Sequence, residues 1–262
     1  MKVGFIGCGN LGSSLIAGLL KAGSLKDKEI IASDADEGKL EGVKKLGVEV
    51  TTDNKRVAAA SDVIFIAVKP DVVGKVLDEI RKFSRNKLLV SVAAGVSTKF
   101  IEGKTEARVI RVMPNICGLV GEMASCFSPG SRATTEDREL IKRLLTSVGE
   151  AIEVNEGAMD AVTGLSGSGP AYFYLVIEAM QQAGVELGLS PDVALRLAAQ
   201  TAKGAGEMAL RSGKGLGELT RMVCSPKGTT VEGLRVLEER KVKEAVKEAV
   251  KAAARRAREL SR

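Results

Sequence analysis

The sequence predicts two domains of different class: an α/β domain built on a parallel sheet over residues 1–155, and an all-helical domain over residues 156–262. Three observations predict it. Short apolar runs alternate with helix-like stretches through the first half, an order that covers both faces of a parallel sheet with helices. Beyond Asn155 the strand signals stop and long apolar-periodic segments take over. The chain has 262 residues, 45% of them hydrophobic, which is enough for two ordinary domains.

Taken in order, Lys2–Ile6 reads as a buried strand and Leu11–Ala22 as the helix after it. Further strands are predicted at Glu29–Ala32, Val63–Val68 and Lys87–Val92, joined by Arg108–Val112. Helical patterns fill the gaps at Glu37–Leu46, Val72–Lys82 and Thr98–Gly103. Thr134-Thr135-Glu136-Asp137 is a helix start running to Ser147, and Glu150–Val154 returns as a last strand. In the second half, Pro170 suits the first turn of a helix that reaches Leu187 and stops at Gly188. Ser190-Pro191-Asp192 starts the next, which ends near Gly213. Two more helices are expected, one from Thr229 and one over Lys241–Leu260.

These later helices carry an assembly signal. Ala171–Ile177 is apolar on nearly every side and therefore has to be buried on every side. The last helix has a seam of Val242, Ala245, Val246, Ala249, Ala253 and Leu260, whose small residues permit close helix approach. An obligate, interleaved homodimer is the expectation.

Composition removes several chemistries. With no histidine, there is no Ser-His-Asp or Cys-His nucleophile pair and no imidazole base. Cys8, Cys117, Cys126 and Cys224 form no C-x-x-C pair, so neither a metal site nor a disulfide framework is expected. A reducing cytosol is the natural setting, and with no membrane-length apolar run or signal peptide the chain reads as soluble and cytoplasmic. The net charge of +6 is concentrated in Glu238–Arg262, with nine Lys/Arg against five Glu. That segment lacks aromatic residues and alternates in sign, with pairs such as Glu239/Lys243 at i,i+4 spacing. It reads as a solvated helix face and not a nucleic-acid surface.

Gly7-Cys8-Gly9-Asn10-Leu11-Gly12 is G-x-G-x-x-G, following an apolar strand, opening a helix and preceding an acid, Asp34, at the end of the next strand. Such glycines allow a tight turn and close approach of backbone to a pyrophosphate at a helix N-terminus. The first domain is therefore read as a Rossmann-like dinucleotide-binding domain. Asp34 suits an adenosine ribose and repels a 2′-phosphate, which favours NADH over NADPH; capping the following helix is its other reading. Ala67-Val68-Lys69-Pro70 and Ala93-Ala94-Gly95 stand where two strands end, and their small residues would let a nicotinamide ring lie close to the backbone. In the second domain, Val223-Cys224-Ser225-Pro226-Lys227-Gly228-Thr229-Thr230 runs into a helix. Thr229 and Glu232 have capping-box spacing; the alternative is an anion pocket of backbone N–H groups and Thr230.

Together these blocks resemble pyrroline-5-carboxylate reductases along essentially the whole chain. The resemblance rests on Gly4–Asn10, Ala67–Pro70, Ala93–Val96, Met113-Pro114-Asn115, Gly164–Tyr172 and, most specific, Val223–Gly233 with Leu234 and Leu237. It implies reduction of 1-pyrroline-5-carboxylate to L-proline by NADH or NADPH, the last step of proline biosynthesis. It implies dinucleotide contacts at Gly7, Cys8, Gly9, Asn10, Leu11, Gly12, Asp34, Ala67, Val68, Lys69, Pro70, Ala93, Ala94 and Gly95, with Asn54 in addition. The substrate carboxylate would be held by Ser225, Lys227, Gly228, Thr229 and Thr230, with Glu156 and Val223 beside them and Thr230 as the catalytic candidate. The resemblance also implies an all-α C-terminal dimerisation domain, and assembly of some members into homodecamers. Two positions depart from the family: Lys227 where Gly is frequent, and Asp34 where many members carry a residue suited to NADPH. A β-hydroxyacid dehydrogenase would place a catalytic Lys on the helix after its glycine motif, but Tyr172–Met180 contains none. A dinucleotide-sensing regulator is the remaining alternative.

Overall fold

The structure, a computed structural model, describes residues 1–260. The short apolar runs become strands buried on both faces: β1 (Val3–Ile6), β2 (Ile30–Ser33), β4 (Val63–Ile66) and β5 (Leu88–Ser91). With β3 (Glu49–Thr51), β6 (Arg108–Met113), β7 (Met123–Pro129) and β8 (Gly149–Glu153) they form one sheet in the order β3-β2-β1-β4-β5-β6-β7-β8. β1 to β6 run parallel; β7 is antiparallel to β6, and β8 is parallel to β7. Chain order reverses between β1 and β4, the switch point at which doubly wound sheets leave a crevice. The register levels the strand ends there: Ile6 pairs with Ser33 and with Ile66, and Ile66 with Ser91.

Helices α1 (Asn10–Lys21), α2 (Glu37–Lys44), α3 (Asn54–Ala60), α4 (Pro70–Ile80), α5 (Thr98–Lys104) and α6 (Thr135–Thr146) accompany the sheet. Two apolar clusters lie against it. One gathers Phe5, Leu15, Leu19, Phe65, Phe127 and Ile141; the other gathers Ile6, Ile64, Val73, Leu77, Ile80 and Val109. The Phe5 and Phe65 rings stack with centroids 4.7 Å apart.

Several elements lie outside the sequence expectation. β3 has three residues, none of them buried. β7 reads Met-Ala-Ser-Cys-Phe-Ser-Pro, too polar and too small to alternate clearly. α3 and α10 (Leu216–Val223) are short, and α10 lies just beyond two glycines. The Thr229–Glu232 capping box is absent, because the cap position of α11 (Thr229–Glu239) is Gly228 and no side chain caps it.

The described chain forms two compact units. Residues 1–168 form one together with the chain from Lys251 onward; Gly169–Val250 form the other. Within the first, α7 (Met159–Val162) and a π-helical turn at Thr163–Gly167 follow β8, with Met159 fully buried. Within the second, α8 (Gly169–Glu186) and α9 (Pro191–Arg211) pack closely: a Cβ added at Gly184 would stand 3.0 Å from that of Ala194. Gly188 takes the left-handed turn between them at φ 97°, and the Ser190 side chain accepts the Val193 N–H to cap α9. α10, α11 and α12 (Val242–Leu260) complete the helices. No helix among the described residues is long and apolar enough to cross a membrane.

Candidate active site

The Gly7–Gly12 loop leaves the end of β1 at the switch point, and its three glycines act differently. Gly7 has φ 106°, and a Cβ there would overlap the Ala67 carbonyl oxygen. At Gly12 a Cβ would overlap the Gly7 carbonyl oxygen, so that glycine lets α1 close against the loop. Gly9 faces open space, with no heavy atom within 4 Å of an added Cβ. It is also the cap position of α1, whose first turn holds neither a capping side chain nor an acid. The result is an uncapped helix N-terminus beside the open face of Gly9, which fits a pyrophosphate.

Asp34 braces that loop. One of its carboxylate oxygens accepts the Cys8 N–H at 2.8 Å and the other accepts the Asp36 N–H at 2.9 Å. Lys39 Nζ stands 3.7 Å from Asp34 and equally far from Asp36. Asp36 caps α2, the role the sequence left open for Asp34. The Cys8 thiol is buried and directed at the Ser33 carbonyl oxygen, 3.5 Å away; burial, then the charge of Asp34, pushes its pKa up to about 12. It therefore packs as a neutral thiol. Asn54, the first residue of α3, accepts the Ser33 hydroxyl at 2.8 Å and donates to Glu79.

Two further loops follow on the same edge of the sheet. Ala67 donates its N–H to the Ile6 carbonyl at 2.7 Å, and Lys69 and Pro70 open α4. Gly95 turns the chain after Ala93 and Ala94 with φ 74°. Thus Gly7–Gly12, Asp34, Asn54, Ala67–Pro70 and Ala93–Gly95 line one edge around the switch point, where ligands of doubly wound sheets bind. Ser225–Thr230 form a separate group in the helical unit. There Gly228 donates its N–H to the Ser225 carbonyl, and Lys227 holds a left-handed backbone at φ 59°, uncommon for a residue with a Cβ. Val223 ends α10 and is exposed; Thr229 and Thr230 open α11 at its uncapped N-terminus.

Glu156, expected beside the carboxylate loop, lies in the sheet unit and is held there by its own contacts. Its two carboxylate oxygens accept the backbone N–H and the hydroxyl of Thr98 at 2.7 and 2.6 Å, and Arg111 lies 3.5 Å away. Asn115 is a second buried connector: it accepts the N–H groups of Cys117 and Ala124 and donates to the Ser166 carbonyl. Thr98 and Arg111 were not legible as site residues. Arg111, a charge inside an otherwise apolar strand run, was the available signal.

A pyrroline-5-carboxylate reductase of Methanosarcina acetivorans is 45% identical over 265 aligned positions, covering 100% of this chain and 98% of that protein. The chain belongs to the pyrroline-5-carboxylate reductase family. The family's enzyme from Arabidopsis thaliana is 43% identical over 99% of the chain and 95% of its own length. A model described as pyrroline-5-carboxylate reductase dimerisation matches residues 156–260, and one described as NADP oxidoreductase, coenzyme F420-dependent, matches residues 2–95. Among solved structures, the Plasmodium falciparum pyrroline carboxylate reductase with NADP bound superposes with a TM-score of 0.92 at 33% identity, over 100% of this chain and 98% of that one. The family fold, a Rossmann-like sheet followed by a helical dimerisation region, is the fold described above.

Proposed function

We infer that this chain reduces 1-pyrroline-5-carboxylate to L-proline with a nicotinamide dinucleotide, as its family membership over the whole length indicates. The observation that carries the reading is the loop at the switch point: closed by backbone at Gly7 and Gly12, open at Gly9, and backed by uncapped helix amides. When bound, the dinucleotide supplies a hydride to C5 of the substrate's C=N bond, while a proton on the ring nitrogen completes the amine. The chain's own part is to hold reacting atoms roughly 3–3.5 Å apart in alignment and to exclude misaligned poses. Ala67–Pro70 and Ala93–Gly95 present small residues to the ring. Ser225, Lys227, Gly228, Thr229 and Thr230 grip the carboxylate through an uncapped helix N-terminus and side-chain hydroxyls, and Val223 adds an apolar wall. Thr230 orients the ring nitrogen or carboxylate; without histidine, the proton arrives with the substrate or through water.

The functional division is placed at residues 155 and 156. NADH is the preferred cofactor in this reading, because Asp34 holds a carboxylate where a 2′-phosphate would approach. The working form in this reading is an interleaved homodimer in the cytoplasm, the unit from which some members of the family build homodecamers, with no nucleic-acid or membrane partner. Cofactor oxidation by purified protein with pyrroline-5-carboxylate, run with NADH and with NADPH, tests both parts. Turnover faster with NADH is expected; turnover faster with NADPH would remove the role given to Asp34, and no turnover with either would remove the reductase reading.

A further inference from the structure

The Ala93–Ala94–Gly95 turn can align a nicotinamide ring only if it is itself held still. The turn is made of two alanines and a glycine, whose side chains offer no polar group to anchor it. Its anchor lies three residues on. Thr98, buried at the start of α5, gives both its backbone N–H and its hydroxyl to the Glu156 carboxylate, at 2.7 and 2.6 Å. Behind Glu156 stands Arg111, whose side chain is 5% exposed and whose Nη1 is 3.5 Å from Glu156. Arg111 rises from β6 directly beside Ser91, the last residue of β5 and two residues before Ala93. Its Nη2 is buried with no hydrogen-bond partner among the described residues, so the guanidinium leans on Glu156. The carboxylate thus closes a ring through Ser91, the turn, Thr98 and Arg111.

We propose that Glu156 is a positioning residue for hydride transfer: through Thr98, and with Arg111 behind it, it fixes the Ala93–Ala94–Gly95 turn against which the nicotinamide lies. This rests on the reductase reading above. With one oxygen accepting the Thr98 N–H and the other its hydroxyl, Glu156 acts on the reaction through the turn.

Thr98→Val is the cleaner test, because it is nearly isosteric and leaves the Glu156–Arg111 pair in place. Glu156→Gln strips the charge from a buried guanidinium and so perturbs folding as well. In the full-length protein, Thr98→Val is expected to lower kcat tenfold or more. The primary deuterium isotope effect with NADH labelled at C4 should rise as hydride transfer becomes rate-limiting. Binding of ADP-ribose, which lacks the nicotinamide, should stay within twofold of wild type, and Thr98→Ser should retain wild-type kcat. Unchanged kcat and isotope effect in Thr98→Val would overturn the proposal. So would a loss of turnover matched by an equal loss of ADP-ribose affinity, the mark of a merely structural role. A wild-type chain that binds ADP-ribose yet reduces no pyrroline-5-carboxylate would instead overturn the reductase reading, and the proposal with it.

Discussion

The sheet unit and the helical unit dispose of their apolar side chains in opposite ways. In the first, Phe5, Ile6, Leu15, Phe65, Leu77 and Phe127 are almost wholly removed from solvent by their own chain. In the second, Phe173, Leu175, Leu197 and Leu210 are more than half exposed, and the buried side chains of α9 are two alanines, Ala194 and Ala198. Burial of a large aliphatic side chain stabilises by roughly 1.5–3 kcal/mol, so the helical unit forgoes in isolation what the sheet unit already has. One half of the molecule therefore has a core of its own, and the other, which matches a dimerisation family model, leaves large apolar side chains uncovered by its own chain.

The largest effect should come from disrupting that uncovered surface. Leu175→Glu places a charge on the apolar face of α8 and is expected to weaken self-association at least 100-fold, read by sedimentation across a dilution series. Far-UV signal from the helices should fall on dilution while the sheet unit stays folded. A dimer unchanged by this substitution would mean that the exposed face of α8 lies outside the contact.

A second comparison sharpens the functional halves. Thr230→Ala should lower kcat by about 10- to 100-fold, the scale of one hydrogen bond to a charged group, with dinucleotide affinity within twofold of wild type. Equal losses in both would show that the loop acts on the fold as a whole. Smaller still, Asp34→Ser should move the NADH-to-NADPH ratio of kcat/KM toward NADPH by about tenfold, or about 1.4 kcal/mol, measured with both cofactors under one set of conditions.

The smallest effect is a pH slope confined to the sheet unit. The Cys8 thiol has a folded pKa of about 12 against an ordinary value of 9.0. The folded state therefore keeps a proton that the unfolded chain releases. Its contribution to stability is complete below pH 9 and falls as pH rises from 9 toward 12. Cys8→Ala should flatten the fall in denaturation midpoint over that window relative to wild type, and the wild-type thiol should resist alkylation at pH 9 until the protein unfolds.

Much of this was legible in the amino-acid sequence, for reasons that differ by region. β1, β2, β4 and β5 are buried on both faces, so their apolar runs are unbroken and mark strands directly. The helix starts at Thr134 and Ser190 were written in their capping residues, and both caps form. β3 and β7 were not legible, because a three-residue strand with no buried residue and a strand rich in Ser, Ala and Cys leave no period-two signal. At the site, the glycine loop was plain because sterics admit few other residues at Gly7 and Gly12. The Thr98–Glu156–Arg111 network was hidden: it joins residues 58 and 45 positions apart, and local pattern carries nothing about such contacts. Thr229 misled for the opposite reason, since its spacing to Glu232 suits a cap that Gly228 pre-empts.

The Cys8–Asp34 hydrogen bond bears on how such a protein can change over evolutionary time. On the reading proposed above, the carboxylate that selects between cofactors is also the one that ties down the glycine loop through the Cys8 N–H. A lineage switching from one cofactor to the other through position 34 would loosen its loop in the same mutational step. The first intermediate would thus be poorer with both cofactors, and a compensating change near Cys8 or Lys39 would have to come first or follow quickly. Cofactor preference would on that reading be an epistatic trait, guarded by the Cys8 backbone amide.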